Sequence, residues 1–281
     1  MIFEHEIPKG SRLYFGKAAK SKRDLEYKIA NLLCDNGFEE ILTPNFSYSQ
    51  HQSIANERKL IKFSDEKNEQ VSLRADSTLD VVRIITKRLG RTTDHKKWFY
   101  VQPVFTYPSS EDYQIGCEWI DHDNIVDILN LTGNILNNLE INPILQLSNI
   151  NIPKLVSKEL EIDIDLFKNG EIAKLFDLQV SWLNDLIKVK NIEDLEKAIT
   201  IVPSTIKVEL EKLLKTAKEV EYKNLVIAPL YHGTLKYYDD VYYRVIQDNH
   251  VICKGGKYSA DGISSLGFAL YTDSLLKILE D

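Results

Sequence analysis

The sequence lacks any apolar run close to the ~20 residues that a membrane-spanning helix needs. Its first residues, Met1-Ile-Phe-Glu-His-Glu-Ile, have neither the basic start nor the apolar stretch of a secretion signal. Both absences predict a cytoplasmic protein with no membrane partner.

Cysteine is also scarce. The three cysteines, Cys34, Cys117 and Cys253, lie far apart, and none has a second Cys or a His at metal-ligand spacing. We therefore expect buried thiols, with no metal, no cofactor and no disulfide framework.

Lys and Arg number 35 against 42 Asp and Glu, which gives a net charge of −7. Nucleic-acid binding depends on Lys and Arg side chains that neutralise phosphates, so tRNA is not an expected partner. The net charge does not exclude a local basic patch.

What is present is the patterning of a packed domain, with 43% hydrophobic residues. Apolar residues at helical spacing predict helical segments at residues 19–35, 77–89, 123–139, 163–220 and 272–279. Gly37 ends the first of them. Short β-branched and aromatic segments predict strands at 38–44, 71–73, 98–107, 113–120, 143–150, 224–231, 237–247, 250–254 and 266–271. Strands gathered in hairpins at both ends predict an α+β fold, an antiparallel sheet flanked by helices. We expect one domain over 1–281, with a helical insertion at about 163–220.

Four short segments carry polar residues that one face of a sheet would present together, at residues 73–78, 114–118, 235–238 and 255–258. In the second segment Gln114, Gly116 and Glu118 alternate and so share a face, unless the register shifts by one residue. Each segment also has a structural explanation. Asp76 can cap a helix, Glu118 can pair with Arg74 or Lys257, tyrosines can pack in a sheet, and Gly255-Gly256 can form a hairpin turn.

The order of these motifs resembles that in histidyl-tRNA synthetases and in their paralogue, the regulatory subunit of ATP phosphoribosyltransferase. The resemblance covers roughly residues 5–150 and 224–281. The motifs that carry it are Ile7-Pro8-Lys9-Gly10, Gly37-Phe38-Glu39-Glu40-Ile41 with Pro44, Leu73-Arg74-x-Asp76-x-Thr78 with Arg83-Ile84, Val104-Phe105, Gln114-x-Gly116-x-Glu118, Tyr237-Tyr238, Gly255-Gly256-Lys257-Tyr258 and Gly267-Phe268-Ala269 with Asp273.

The resemblance implies a class II synthetase core whose open sheet face binds an amino acid and ATP, and a homodimer formed through Gly37 to Pro44. It implies that Asp76, Gln114 and Glu118 hold the α-ammonium of a histidine-like ligand. Two carboxylates and an amide carbonyl suit the three donors of that group. The other implied ligand-binding residues are Thr78, Tyr237, Tyr238 and Tyr258, and the candidate anion contacts are Arg74 and Lys257.

The sequence departs from the synthetase pattern where positive charge would be needed. Thr106 follows Val104-Phe105 and Ser274 follows Asp273, where the family has arginine, and His232 begins a motif that normally starts with arginine. Adenylation develops negative charge on the ATP α-phosphate, and each lost donor costs ~10²- to 10³-fold in rate. We therefore expect no catalytic residues. The printed sequence ends soon after the third signature, so no anticodon-binding domain is expected.

These observations predict a non-catalytic regulatory subunit of ATP phosphoribosyltransferase. It would bind histidine, or relay its binding, for feedback control of the first step of histidine biosynthesis, with a short-form catalytic subunit as its partner. Two alternatives stay open. One is an amino-acid-activating ligase that acts on a non-tRNA acceptor, using residual arginines such as Arg74, Arg83, Arg91 and Arg244. The other is an orphan scaffold or tRNA-binding relative that has lost both ligands.

Overall fold

The computed structural model describes residues 6–51, 57–233, 238–260 and 262–280. By contacts between Cα atoms the chain divides into two compact units, Met1–Asp121 with Ala260–Asp281 and His122–Ser259. Over the described ranges no helix has the length and apolar character needed to cross a membrane.

The first unit contains a four-stranded sheet and a smaller three-stranded sheet. In the larger sheet the strand order is β1-β5-β6-β11, and in the smaller one it is β2-β4-β3. The strands are β1 Glu39–Glu40, β2 Phe46–Tyr48, β3 Lys62–Ser64, β4 Gln70–Leu73, β5 Lys97–Thr106, β6 Ser110–Ile120 and β11 Ile263–Tyr271. The helices are α1 Gly16–Asp35, α2 Thr78–Arg83, which continues as a π-helix over Ile84–Leu89, and α10 Thr272–Glu280.

Helix α1 forms for the reason that its sequence indicates. Leu25, Ile29 and Leu33 recur at intervals of four residues and are the buried side chains of the helix. Gly37 takes a φ of +80°, a conformation that glycine adopts without steric cost, and the chain turns there toward β1. The helix thus covers the larger sheet of the first unit and directs Phe38 into the core, where it is 3% exposed.

The second unit contains the strands β7 Ile144–Asn149, β8 Leu225–Ile227, β9 Tyr238–Gln247 and β10 His250–Ala260, in the order β10-β9-β7-β8. Its helices are α3 Ile125–Asn138, α4 Asn151–Glu159, α5 Asp165–Lys168, α6 Ile172–Asp177, α7 Ser181–Ile187, α8 Ile192–Ile201 and α9 Ser204–Glu219. Helix α3 begins at Asn124, whose side chain accepts from the Val126 N–H. Its buried face includes Ile128, Leu129 and Ile135.

The prediction of an α+β fold with a helix-flanked sheet is confirmed, but the sheet is not wholly antiparallel. β1 pairs in parallel with β5, and β7 pairs in parallel with β8. The pairings of β5 with β6, β6 with β11, β9 with β10 and β7 with β9 are antiparallel, as are those of β4 with β2 and β3 in the smaller sheet.

Several predicted elements differ in length. The strand predicted at 38–44 is only Glu39–Glu40, because the chain leaves the ladder after the Ile41 N–H donates to the Phe99 carbonyl and reaches Pro44 soon afterwards. The strand predicted at 224–231 is only Leu225–Ile227. β10 runs on to Ala260, so Gly255 and Gly256 lie within a strand and not in a hairpin turn. Helix α4 and the short strands β2 and β3 were not predicted.

Candidate ligand site

Strand β6 carries two of the residues predicted to bind the ammonium group of a ligand, Gln114 and Glu118. Its pairing with β5 and β11 is continuous from Gln114 to Glu118, so these two side chains and Gly116 lie on the same face. The register shift that would have reversed them does not occur. Glu118 is fully buried, whereas Gln114 is half-buried.

A buried tyrosine on β5, Tyr100, links Glu118 to Thr78. The Tyr100 hydroxyl donates to Glu118 Oε1 at 3.5 Å and lies 3.4 Å from Thr78 Oγ1. Thr78 and Glu118 are thus brought to one phenol group, although they lie 40 positions apart in the sequence. Tyr100 was not predicted as a site residue. Its only sequence signal is that it belongs to the aromatic strand that precedes the Val104-Phe105 motif.

Two glycines make room for this arrangement. A Cβ atom at Gly116 would lie 1.9 Å from Tyr100 Cζ, and one at Gly267 would lie 2.0 Å from Glu118 Oε2. Both distances are far below van der Waals contact. The two glycines that the sequence motifs contain are therefore needed so that Tyr100 and Glu118 can lie against the sheet.

Asp76 lies at the turn between β4 and α2. It partly confirms the helix-capping prediction, since the Leu79 N–H donates to Asp76 Oδ1 at 3.3 Å. Burial raises the pKa of Asp76 to about 6, and the charge of Asp80 adds to that shift, while the backbone N–H groups of Leu79 and Thr78 oppose it. A cationic group near Asp76 would reverse the shift, because it would favour the carboxylate.

Arg74 has a structural role and not the predicted role of an anion contact. Its side chain is completely buried, and all five N–H groups have acceptors within the protein. Nε and Nη2 donate to the Pro103 carbonyl at 3.1 and 2.6 Å. Nη1 donates to the carbonyls of Thr43 and Pro44, each at 2.9 Å, and Nη2 donates to Asn45 Oδ1 at 3.1 Å. Arg74 therefore joins the loop at 43–45 to β5 and fixes the turn that carries Asp76 and Thr78.

The positions where the family has arginine hold small polar residues. Thr106 ends β5, and Ser274 lies in the first turn of α10. Next to Ser274, the Asp273 carboxylate pairs with Arg12 Nε at 2.9 Å and accepts from the Tyr14 hydroxyl. Arg83 pairs with Asp80 at 2.9 Å. Arg12, Arg74 and Arg83 of the first unit are thus engaged by groups of the protein itself.

In the second unit, Tyr238 and Tyr258 are buried and face each other across β9 and β10. The rings of Tyr238 and Tyr242 stack with centroids 5.7 Å apart, and Gly256 lies close beneath them. Tyr237 lies outside the described residues. Lys257, the second candidate anion contact, pairs with Asp123 at 2.8 Å.

His232 does not replace the missing arginine electrostatically. Burial lowers the pKa of His232, and the charges of Lys168 and Lys154 lower it further, which outweighs the opposing effects of the Gly233 carbonyl and Asp165. The ring is therefore neutral at pH 7, with Nδ1 2.8 Å from the Gly233 carbonyl oxygen. Among the described residues no group of three or more His, Cys, Asp or Glu side chains could hold a metal ion.

Comparisons with known proteins agree on the family. The family model described as histidyl-tRNA synthetase matches residues 14–275. A protein of Wolinella succinogenes named ATP phosphoribosyltransferase regulatory subunit is 44% identical over 277 residues, which cover 99% of this chain and 96% of that protein. This chain belongs to the ATP phosphoribosyltransferase regulatory subunit family. A protein of the same name from Helicobacter hepaticus is 41% identical over 99% of both chains.

Solved structures show that this chain has the histidyl-tRNA synthetase fold. A structure from Bacillus halodurans, described as an ATP phosphoribosyltransferase regulatory subunit/histidyl-tRNA synthetase, superimposes with a TM-score of 0.83. It covers 100% of this chain and 84% of that one, at 17% identity. A histidine–tRNA ligase subunit from Alicyclobacillus acidocaldarius gives a TM-score of 0.78 at 19% identity, covering 97% of this chain and 96% of that one. The class II synthetase-like fold predicted for the chain is thereby confirmed.

Replacing Arg74 with methionine should lower the free energy of unfolding by about 3 to 5 kcal/mol. The change leaves the carbonyls of Thr43, Pro44 and Pro103 without the donors that the buried Arg74 supplies, and it removes several charge-assisted hydrogen bonds. Urea denaturation measures the effect. Arg23→Met, the same change at an exposed position of α1, is the matched control and should shift stability by less than about 0.5 kcal/mol. A loss below 1 kcal/mol on Arg74→Met would contradict the structural role.

Proposed function

We propose that this chain is a non-catalytic regulatory subunit of ATP phosphoribosyltransferase that binds histidine, or relays its binding, for feedback control of the first step of histidine biosynthesis. The partner is a short-form catalytic subunit, held in a larger complex. The names of the Wolinella and Helicobacter relatives support the partnership and the regulatory role. The observation that supports histidine binding is the pair of acidic residues Glu118 and Asp76 in the first unit.

That site suits an ammonium group. Glu118 is completely buried against Tyr100 and Gly267, and Asp76 lies at the turn that Arg74 fixes. A rigid, buried carboxylate forms strong charge-assisted hydrogen bonds with an ammonium donor and loses little entropy on binding. In the same fold, Thr106 and Ser274 cannot stabilise charge on a phosphate as arginine does. Recognition is therefore retained in this proposal, whereas adenylation is not.

The proposal includes a homodimer through Gly37 to Pro44. Leu42 is 73% exposed and Phe46 60% exposed, and both line a cavity of about 680 Å³ in the first unit. Neighbouring apolar side chains that are exposed together mark a surface that a protein partner can cover. Sedimentation of the purified chain measures the assembly, and a monomer at micromolar concentration would contradict this part of the proposal.

Histidine should bind to the chain, or to its complex with the catalytic subunit, and Glu118→Gln should weaken that binding about 10- to 100-fold, the cost of one charge-assisted hydrogen bond. Isothermal titration calorimetry measures both constants. In the complex, the same substitution should raise the histidine concentration needed for inhibition of the phosphoribosyltransferase.

The matched control is Glu111→Gln, which removes the same charge from the beginning of the same strand. It should bind histidine as the unmodified chain does. Unchanged affinity in Glu118→Gln would refute the assigned role of Glu118. No heat at millimolar histidine, with or without the catalytic subunit, would refute the sensor role.

The contribution of Asp76 to affinity should depend on pH. Its pKa of about 6 in the free protein would fall in the complex, because the ammonium of the ligand stabilises the carboxylate. Asp76 therefore contributes fully to histidine affinity above about pH 6, where it is charged in the free protein as well. This contribution is lost as the pH falls from about 6 toward the lower pKa that Asp76 has in the complex. The ratio of affinities between the unmodified chain and Asp76→Asn measures it, since the titration of histidine itself cancels. A ratio that is constant from pH 5 to 8 would contradict this role.

Incubation with ATP, labelled pyrophosphate and histidine should give no exchange above a protein-free blank. The fixed positive charge at positions 106 and 274 is missing, and loss of one such donor alone commonly costs ~10²- to 10³-fold in rate. The assay is repeated with each of the other amino acids. Exchange with any of them would overturn the non-catalytic role and favour the ligase alternative.

A further inference from the structure

Two cationic side chains of the second unit lie directly opposite each other on neighbouring strands. Arg244 of β9 and Lys254 of β10 are cross-strand partners, so both point to the same face of the sheet. Gln146 of β7 is the cross-strand partner of Arg244 on its other side. The three side chains therefore form a row across three strands, and the two cations are neighbours in it.

Among the residues that the structure describes, the hydrogen-bond partners of Arg244 are neutral groups. Its Nε and Nη2 donate to Gln146 Oε1 at 3.1 and 2.9 Å, and Nη1 donates to the Tyr231 hydroxyl at 3.1 Å. The guanidinium carbon lies 3.8 Å from the centroid of the Tyr231 ring. These contacts fix the plane of the guanidinium group. They leave one N–H on each terminal nitrogen without an acceptor among the described residues.

Lys254 is half-buried, and within the described ranges it has neither a hydrogen-bond acceptor nor a carboxylate at ion-pair distance. Burial lowers the pKa of Lys254, and the charge of Arg244 lowers it further. Like charges directly opposite each other in a sheet are destabilising, and half-buried charges usually have a counter-charge. Neither Arg244 nor Lys254 has a carboxylate partner among the residues that the structure describes.

A small cavity lies at this pair. Its volume is about 10 Å³, and Tyr231, Tyr242, Arg244 and Lys254 are among its lining residues. That space holds roughly one water-sized group. An oxygen atom of an anion fits it, and the remainder of the molecule would lie outside.

We propose that Arg244 and Lys254 form a binding site for the oxyanion group, carboxylate or phosphate, of a small molecule. Arg244 offers a planar group whose orientation is already fixed by Gln146 and Tyr231, which favours an acceptor with two oxygens. Lys254 offers a point charge beside it. An anion bound there supplies the counter-charge that the described residues do not.

The test is the binding of inorganic phosphate and of acetate to the full chain by calorimetry, at constant ionic strength maintained with sodium chloride. At least one of the two anions should bind to the unmodified chain and should bind at least tenfold more weakly to Lys254→Met. Lys254→Arg should retain binding, because it keeps the charge. Lys215→Met, which removes a lysine exposed on α9, is the matched control and should bind as the unmodified chain does.

Thermal unfolding gives a second measurement. In buffer without phosphate or acetate, Lys254→Met should unfold at a higher temperature than the unmodified chain, since it removes the like-charge repulsion. The anion that binds should raise the midpoint of the unmodified chain and leave that of Lys254→Met unchanged. Binding of phosphate alone would identify a phosphorylated ligand, and binding of acetate would identify a carboxylate.

Equal binding to the unmodified chain and Lys254→Met, or no binding of either anion, would overturn the proposal. The result does not depend on the histidine sensor. If histidine fails to bind while phosphate or acetate binds through Lys254, the proposed function fails and this site remains.

Discussion

The first unit depends on one buried guanidinium group. Arg74 has no exposed surface, and its donors meet the backbone carbonyls of Thr43, Pro44 and Pro103. A buried charge is costly unless it is fully hydrogen-bonded, and here every N–H is used. The loop at 43–45, the end of β5 and the turn after β4 are therefore fixed relative to one another. Since Asp76 and Thr78 lie on that turn, the placement of two candidate ligand residues follows from Arg74.

The contacts around Glu118 show how, in the proposed function, ligand recognition can be kept without adenylation. Glu118 and Thr78 approach the Tyr100 hydroxyl because glycines at 116 and 267 permit the contact. This arrangement needs only packing and hydrogen bonds, and it can hold a cation without any catalytic step. Transition-state stabilisation needs preorganised charge aimed at the phosphate, and positions 106 and 274 do not supply it. Cation binding and stabilisation of the phosphate charge depend on different residues, so cation binding can persist without the second property.

The sequence predicted some of this site and could not predict the rest. Alternation along a strand placed Gln114 and Glu118 on one face, and the continuous register of β6 confirms it. The sequence predicts an anion contact at Arg74, because the acceptors that occupy its donors lie about 30 residues away and are not visible in the local pattern. Tyr100 was missed for a related reason, since its contacts with Thr78 and Glu118 form only when β5 and β6 pair.

The fold shows a similar division between local and distant information. The spacing of Leu25, Ile29 and Leu33 predicts α1, and the conformation of Gly37 explains its end. In contrast, the parallel pairing of β1 with β5 joins residues 59 positions apart, Glu39 with Trp98 and Glu40 with Phe99, and no local sequence pattern indicates it. Strands β2 and β3 carry only three residues each, too few for a period of two to be recognised.

A sensor needs more than a pocket, because a ligand shifts an equilibrium only by its difference in affinity for two states. Asp76 offers a physical basis for such a difference in the first unit. Its raised pKa means that the free protein holds the charged carboxylate at a cost, which a bound ammonium would relieve. A state in which the turn at Asp76 is more open to solvent would have a smaller cost and would gain less from the ligand. In the proposed function, binding would therefore favour states in which Asp76 keeps the environment that it has in this structure.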